Sequence, residues 1–173
     1  VLELTQVIGN LNDVSITCNI DTINLEWYEA YKRIGRYESA GGLDIALRFP
    51  TPLIYGLNEG DILYLDELLA IVVNIIPCEV LLIHATSKLE IAKLCYEIGN
   101  AHIPLFYGDN ETFLIPYEQT LEHSLRKMGF SARKMLAKMH AKKRFSISLP
   151  MQKEPQLKPS PNLKIIQKSI DAI

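Results

Sequence analysis

The sequence predicts an α+β protein with three parts: an N-terminal all-β domain over residues 1–75, a ferredoxin-like βαββαβ domain over residues 76–150, and a flexible C-terminal tail over residues 151–173. Three observations carry this reading. Residues up to about 75 alternate as strands do and contain no helix-period segment. Beyond Pro77, apolar runs and amphipathic stretches follow in the order strand, helix, strand, strand, helix, strand. In "MQKEPQLKPSPN" three prolines then end all apolar periodicity, as in an extended, mobile segment.

In the first part, "INLEWYEAYKRIGRY" places Leu25, Trp27 and Tyr31 on one face and Glu26, Lys32 and Arg36 on the other, the pattern of a strand. "SAGG" (Ser39 to Gly42) is a turn signal, and "LDIALRF" after it sets Ile45, Leu47 and Phe49 on one face. "NEGD" (Asn58 to Asp61) marks another turn. "ILYL" and "LLAIVVNI", separated by Asp66-Glu67, read as a hairpin.

In the second part, "EVLLIHA" suits a central strand. "SKLE" opens a helix, because Ser87 and Glu90 stand at capping-box spacing, and Ile91, Leu94, Cys95 and Ile98 then recur at helical intervals. Gly99 is the expected left-handed stop. "IPLFYG" and "TFLIPY" read as two strands joined at Asp109-Asn110. "TLEHSLRKMG" is a second amphipathic helix, with Leu121, Leu125 and Met128 on its apolar face and Gly129 as its stop. "SARKMLAKMHAKKR" begins at a further N-cap, Ser131, and "FSISLP" is the last strand expected. In the tail, "LKIIQKSIDAI" is too short to be helical by itself.

Composition narrows the function. The chain has 173 residues, enough for one ordinary domain or two small ones, with 48% apolar and 22% charged residues, a soluble globular mixture. A net charge of −2 gives no general affinity for nucleic acid or anionic lipid. Cys18, Cys78 and Cys95 are scattered and odd in number, which argues against a disulfide framework or a thiolate zinc site and for a reducing compartment. Glu3 and Asn10 interrupt any signal-peptide core, and Leu68 to Pro77 is too short to span a bilayer, so a cytoplasmic protein is expected. The basic and aromatic cluster Trp27, Tyr28, Tyr31, Lys32, Arg33, Arg36 and Tyr37 has the residue types of a base-stacking surface. An edge strand with solvated basic residues explains it equally, and the acidic net charge favours that explanation. No Walker loop, GxGxxG, GxSxG or HExxH is present.

The four histidines are the candidate ligands. His102 follows a helix end, where an imidazole either complements the helix dipole or binds a borderline divalent metal. His123 falls opposite the apolar stripe of its helix and is expected to face solvent. His140 borders the apolar face of the helix expected from Ser131, and His84 ends a strand as a candidate satisfied core residue. No two stand at i, i+2 or i, i+4, so one chain offers no local metal pair.

"GNAHIPLFYGD" resembles the G-N-[RK]-H-x-P-L segment of the UreE family of urease accessory metallochaperones, and the short His-poor tail is most similar to members from Helicobacter-type bacteria. "IGN" near the N-terminus, "LEWYEAYKRIGRYESAGGLDIALR", "GDILY", "EIGNAH" and "LEHSLRKMGF" agree in order, so the resemblance covers residues 1–150. It implies a β domain similar to the peptide-binding domains of DnaJ-type chaperones, followed by a ferredoxin-like domain through which the chain forms a homodimer. It implies no enzymatic activity. It implies that His102 is the metal ligand at the dimer interface, holding Ni²⁺ (with Zn²⁺ possible) for delivery through the GTPase UreG to the urease assembly complex. A two-fold axis turns one such histidine per chain into two per site.

Three departures bear on that site. Ala101 stands where the family usually has Arg or Lys, and no histidine follows His140. Pro116, Tyr117 and Glu118 occupy the region where some members carry H-x-H. The implied site is then two imidazoles with water or carboxylate, weaker than in tail-rich relatives. The alternative is a protein-binding adaptor of the urease maturation complex with weak or lost metal binding. A metal-dependent hydrolase is disfavoured, since no carboxylate-histidine motif accompanies His102.

Overall fold

The computed structural model describes residues 1–145. The tail and the strand expected at "FSISLP" lie outside the described residues, apart from Phe145. The chain divides into two compact units, the first over Val1–Ile75 and the second beginning at Ile76.

The first unit holds seven strands: β1 (Leu2–Leu4), β2 (Gly9–Asn10), β3 (Asn19–Leu25), β4 (Ile34–Glu38), β5 (Asp44–Arg48), β6 (Asp61–Leu65) and β7 (Leu69–Ile75). They form a three-stranded sheet in the order β1-β5-β4 and a four-stranded sheet in the order β2-β6-β7-β3. The pairs β1/β5 and β3/β7 are parallel. Alternation works as the sequence implies: Ile45, Leu47 and Phe49 are all buried, as are Ile23 and Leu25. The β6–β7 hairpin forms as expected, and its turn is fastened by Asp66, whose carboxylate accepts the Leu68 and Leu69 N–H groups at 2.8 and 2.7 Å. In the "NEGD" turn Gly60 takes a positive φ of 79° and the Asp61 N–H donates to the Asn58 carbonyl.

One expected strand divides in two. β3 stops at Leu25, and Glu29–Tyr31 forms a 3-10 turn before β4 starts at Ile34. The Glu29 carboxylate accepts the Glu26 N–H and the Glu29 N–H donates to the Glu26 carbonyl, which closes the turn around a buried Ala30. Alternation alone does not register such a reversal, because the polar residues on both sides of it continue the same period.

The second unit runs β8 (Cys78–His84), α1 (Lys88–Asn100), β9 (Phe106–Tyr107), β10 (Thr112–Pro116), α2 (Gln119–Lys127) and β11 (Ser131–Ala137). Its sheet has the order β11-β8-β10-β9 with every pairing antiparallel, which is the ferredoxin-like βαββαβ topology. One face of the sheet, with Leu81, Ile83 and Ile115, packs beneath Leu94 and Ile98 of α1 and Leu125 of α2. Burying each such side chain contributes about 1.5–3 kcal/mol.

The helix expected from Ser131 is instead β11, which pairs with β8 over all seven residues from Ser131↔His84 to Ala137↔Cys78. The N-cap signature and the apolar spacing of Ala132, Met135 and Leu136 suit a helix. The open edge of the central strand β8 outweighs them, since its buried N–H and C=O groups require a partner. Met128 also departs from expectation: it is the cap residue of α2 and is 46% exposed. After β11 the chain crosses to the opposite edge of the sheet. Met139 and Ala141 are buried on the way, Arg144 bridges Phe106 of β9, and the Phe145 N–H donates to the Leu105 carbonyl at 2.8 Å. Among the described residues no helix is long and apolar enough to cross a membrane.

Candidate metal centre

The position of His102 is set by α1. The Ser87 hydroxyl accepts the Glu90 N–H at 3.2 Å, and the Glu90 carboxylate accepts the Ser87 N–H at 3.0 Å, so the capping box forms in full. Leu94 and Ile98 are buried, and Ile91 and Cys95 pack at the margin of the same core. These contacts fix the rotation of the helix and therefore of its C-terminal end.

That end differs from expectation. Gly99 lies inside the helix and does not take a positive φ; Ala101 is the cap, and His102 adopts the left-handed conformation with φ 55°. The His102 N–H donates to the Gly99 carbonyl at 3.1 Å and the Ile103 N–H to the Ile98 carbonyl at 3.2 Å, a Schellman motif with a histidine where glycine is usual. Ile103 packs against the cluster that contains Ile98. This apolar clasp sets the register and leaves His102 as the residue that must turn left-handed. Histidine is among the residues that tolerate that region, at a cost of about 1 kcal/mol or more. The side chain of His102 is exposed.

The other histidines are spread over the unit. His123 is exposed on α2, as expected. His84 is exposed at the end of β8, paired with Thr112 and Ser131, and is not a core residue: its row of the sheet faces away from the helices. His140 borders no helix face, because it is the extended residue that caps the 3-10 turn Ala141–Lys143. His84 and His140 line one concavity on the face of the sheet opposite the helices, a proximity that the sequence separation conceals.

Other donor types are engaged elsewhere in the unit or disfavoured as ligands. Burial pushes the Cys95 thiol up, which disfavours the thiolate needed for ligation. The Asp109 carboxylate is engaged by Lys143 at 2.9 Å, and that ammonium holds it below the ordinary aspartate range. In the region of Pro116, Tyr117 and Glu118, Lys134 lies 4.0 Å from the Tyr117 ring centre and bonds Glu79. Among the described residues of one chain, no group of three or more His, Cys, Asp or Glu stands close enough to hold a metal ion.

Residues 4–75 match the family model described as UreE urease accessory protein, N-terminal domain, and residues 78–147 match that of the UreE urease accessory protein, C-terminal domain. The chain is 39% identical over 174 residues to the urease accessory protein UreE of Helicobacter hepaticus, covering 98% of this chain and all of the relative. It is 38% identical over 169 residues to that of Helicobacter pylori strain P12, covering 95% of this chain and 99% of the relative. The corresponding protein of Helicobacter acinonychis is 37% identical over 169 residues, with the same coverage.

Proposed function

This chain belongs to the UreE family of urease accessory proteins, which are not enzymes, and from that premise we propose that it is a cytoplasmic nickel-binding metallochaperone that delivers Ni²⁺ for assembly of the urease active site. The observation that supports this reading is His102 itself. It is an exposed imidazole held in a costly left-handed conformation at a helix end. Backbone strain of this kind persists where the surrounding structure over-determines it, and it clusters at functional sites.

A homodimer completes the site. With no three-donor group in one chain among the described residues, a second copy supplies the second His102 ring across a two-fold axis. Two imidazoles with water or carboxylate hold Ni²⁺ and still release it, as a delivery protein requires; Zn²⁺ suits the same donors. Release passes the ion to the GTPase UreG within the urease assembly complex, and the N-terminal β unit docks protein partners.

Ala101 and the lack of any histidine after His140 motivate one competing reading, an adaptor of the maturation complex with weak or lost metal binding. Calorimetric titration with Ni²⁺ decides between them. One tight ion per dimer in the wild type, lost in His102→Ala, supports the metallochaperone. Equal weak binding by both proteins supports the adaptor.

A further inference from the structure

Opposite its helices, the sheet of the second unit forms one wall of a concavity of about 390 Å³. The other wall is the segment that returns from β11 to β9, which contributes Lys138, His140 and Lys143. The floor is apolar, with Leu114 and Leu82 paired across β10 and β8 and with Met135 of β11 beside them. Arg133 is the next residue in the Leu114–Leu82 row, and its side chain is exposed. Among the described residues, the fixed charges on the lining are three cations, Arg133, Lys138 and Lys143, against one carboxylate, Asp109. That carboxylate is already bonded to Lys143. A concentration of positive charge over an apolar floor is unlike the chain as a whole, whose net charge is −2.

We propose that this cleft docks an acidic, extended segment of a partner protein, with apolar side chains on the Leu114–Leu82 floor and a carboxylate against Arg133. Leu114 and Arg133 are two strand spacings apart, about 10 Å, the length of roughly three extended residues. A small free anion meets the rim and leaves that floor wet, whereas a peptide covers both. Two other occupants fit less well. A second copy placed symmetrically on this face brings a rim of the same net positive charge to both sides, which opposes association. The chain's own residues 146–173 carry Lys153, Lys158, Lys164 and Lys168 against Glu154 and Asp171, the same sign as the rim. The site goes beyond the nickel reading and does not depend on it.

The test uses the full chain in chelator-treated buffer and a fluorescein-labelled octapeptide of alternating leucine and glutamate, with alternating leucine and lysine as its counterpart. Anisotropy should show saturable binding of the acidic peptide and at least tenfold weaker binding of the basic one. Arg133→Glu should weaken the acidic peptide at least tenfold, Arg133→Lys far less, and Leu114→Ser severalfold. His102→Ala should bind it as the wild type does, and Arg133→Glu should titrate Ni²⁺ as the wild type does, which separates this site from the metal centre. Equal binding of the two peptides, or unchanged binding in Arg133→Glu, overturns the proposal. Displacement of the peptide by millimolar inorganic phosphate overturns it in favour of a small-anion site. A changed oligomeric state in Arg133→Glu by light scattering overturns it in favour of a self-interface.

Discussion

His102 and Gly129 occupy the same left-handed position, one residue beyond the caps of α1 and α2, with φ of 55° and 91°. Each is followed by an apolar residue whose N–H donates five residues back, Ile103 to Ile98 at 3.2 Å and Phe130 to Leu125 at 3.0 Å. The two helices end by one mechanism, and one of them places an imidazole where the other has glycine.

That equivalence predicts opposite outcomes for two exchanges. His102→Gly relieves the left-handed penalty and should stabilise the chain by about 1 kcal/mol, whereas Gly129→Ala introduces the penalty and should destabilise it by a similar amount. Urea denaturation followed by circular dichroism measures both. A destabilised His102→Gly protein would show that the ring makes contacts that outweigh the strain.

Nickel binding should distinguish the exposed histidines. His102→Ala should abolish the tight site and His123→Ala should leave it, since His123 stands exposed on α2 opposite that helix's apolar stripe. An imidazole ligates a metal as the neutral base, so acidification should release the ion. Titration calorimetry of both variants at pH 7 and at lower pH is the measurement. Retention of the tight site in His102→Ala would relocate the ligand.

Removal of residues 151–173 should leave the nickel stoichiometry unchanged, because that segment contains no histidine or cysteine. Equilibrium dialysis of the truncated chain against Ni²⁺ checks this. A loss of most of the bound metal would assign a donor to the segment.

The α1 capping box should make the helix start pH-sensitive. The N–H groups of Ser87 and Thr86 hold the Glu90 carboxyl below its usual value of about 4.5. The folded pKa is depressed, so the stabilisation is complete above that usual value and fades as pH falls through the lower folded one. The stability difference between wild type and Glu90→Gln should therefore shrink from pH 7 to pH 3. Ser87→Ala should cost about 1 kcal/mol at neutral pH. A difference that stays constant with pH would remove the ionised carboxylate from the explanation.

Much of the fold was legible because local signals and burial agree. The Ser87/Glu90 spacing, the Leu94 and Ile98 stripe and the "NEGD" turn appear as read, and the βαββαβ order holds with its last strand at β11, where a helix was expected. The misplaced stop at Gly99 shows where local signals fail. Glycine has the strongest intrinsic preference for a left-handed residue, but the stop is chosen by the apolar pair that clasps it. Ile98 and Ile103 are five apart, as are Leu125 and Phe130, and that spacing is the signal that identifies the turning residue in both helices. β11 was hidden for a different reason: its partner is β8, on the far side of two helices in sequence, and edge pairing overrides a local helical pattern. The shared cavity of His84 and His140 depends on the same pairing and was hidden with it.

The parallel pairing of β3 with β7 also governs when this protein can take shape on the ribosome. Asn24 meets Asn74, a separation of 50 residues, and the register runs to Leu25↔Ile75 at the last residue of the first unit. Synthesis adds about 5–20 residues per second. For several seconds, then, β3 has been made and its partner has not. The four-stranded sheet cannot be completed before Ile75 emerges, so Ile23 and Leu25 lack their β7 neighbours in the interval. A nascent chain in that window is the form most exposed to aggregation and to chaperone capture.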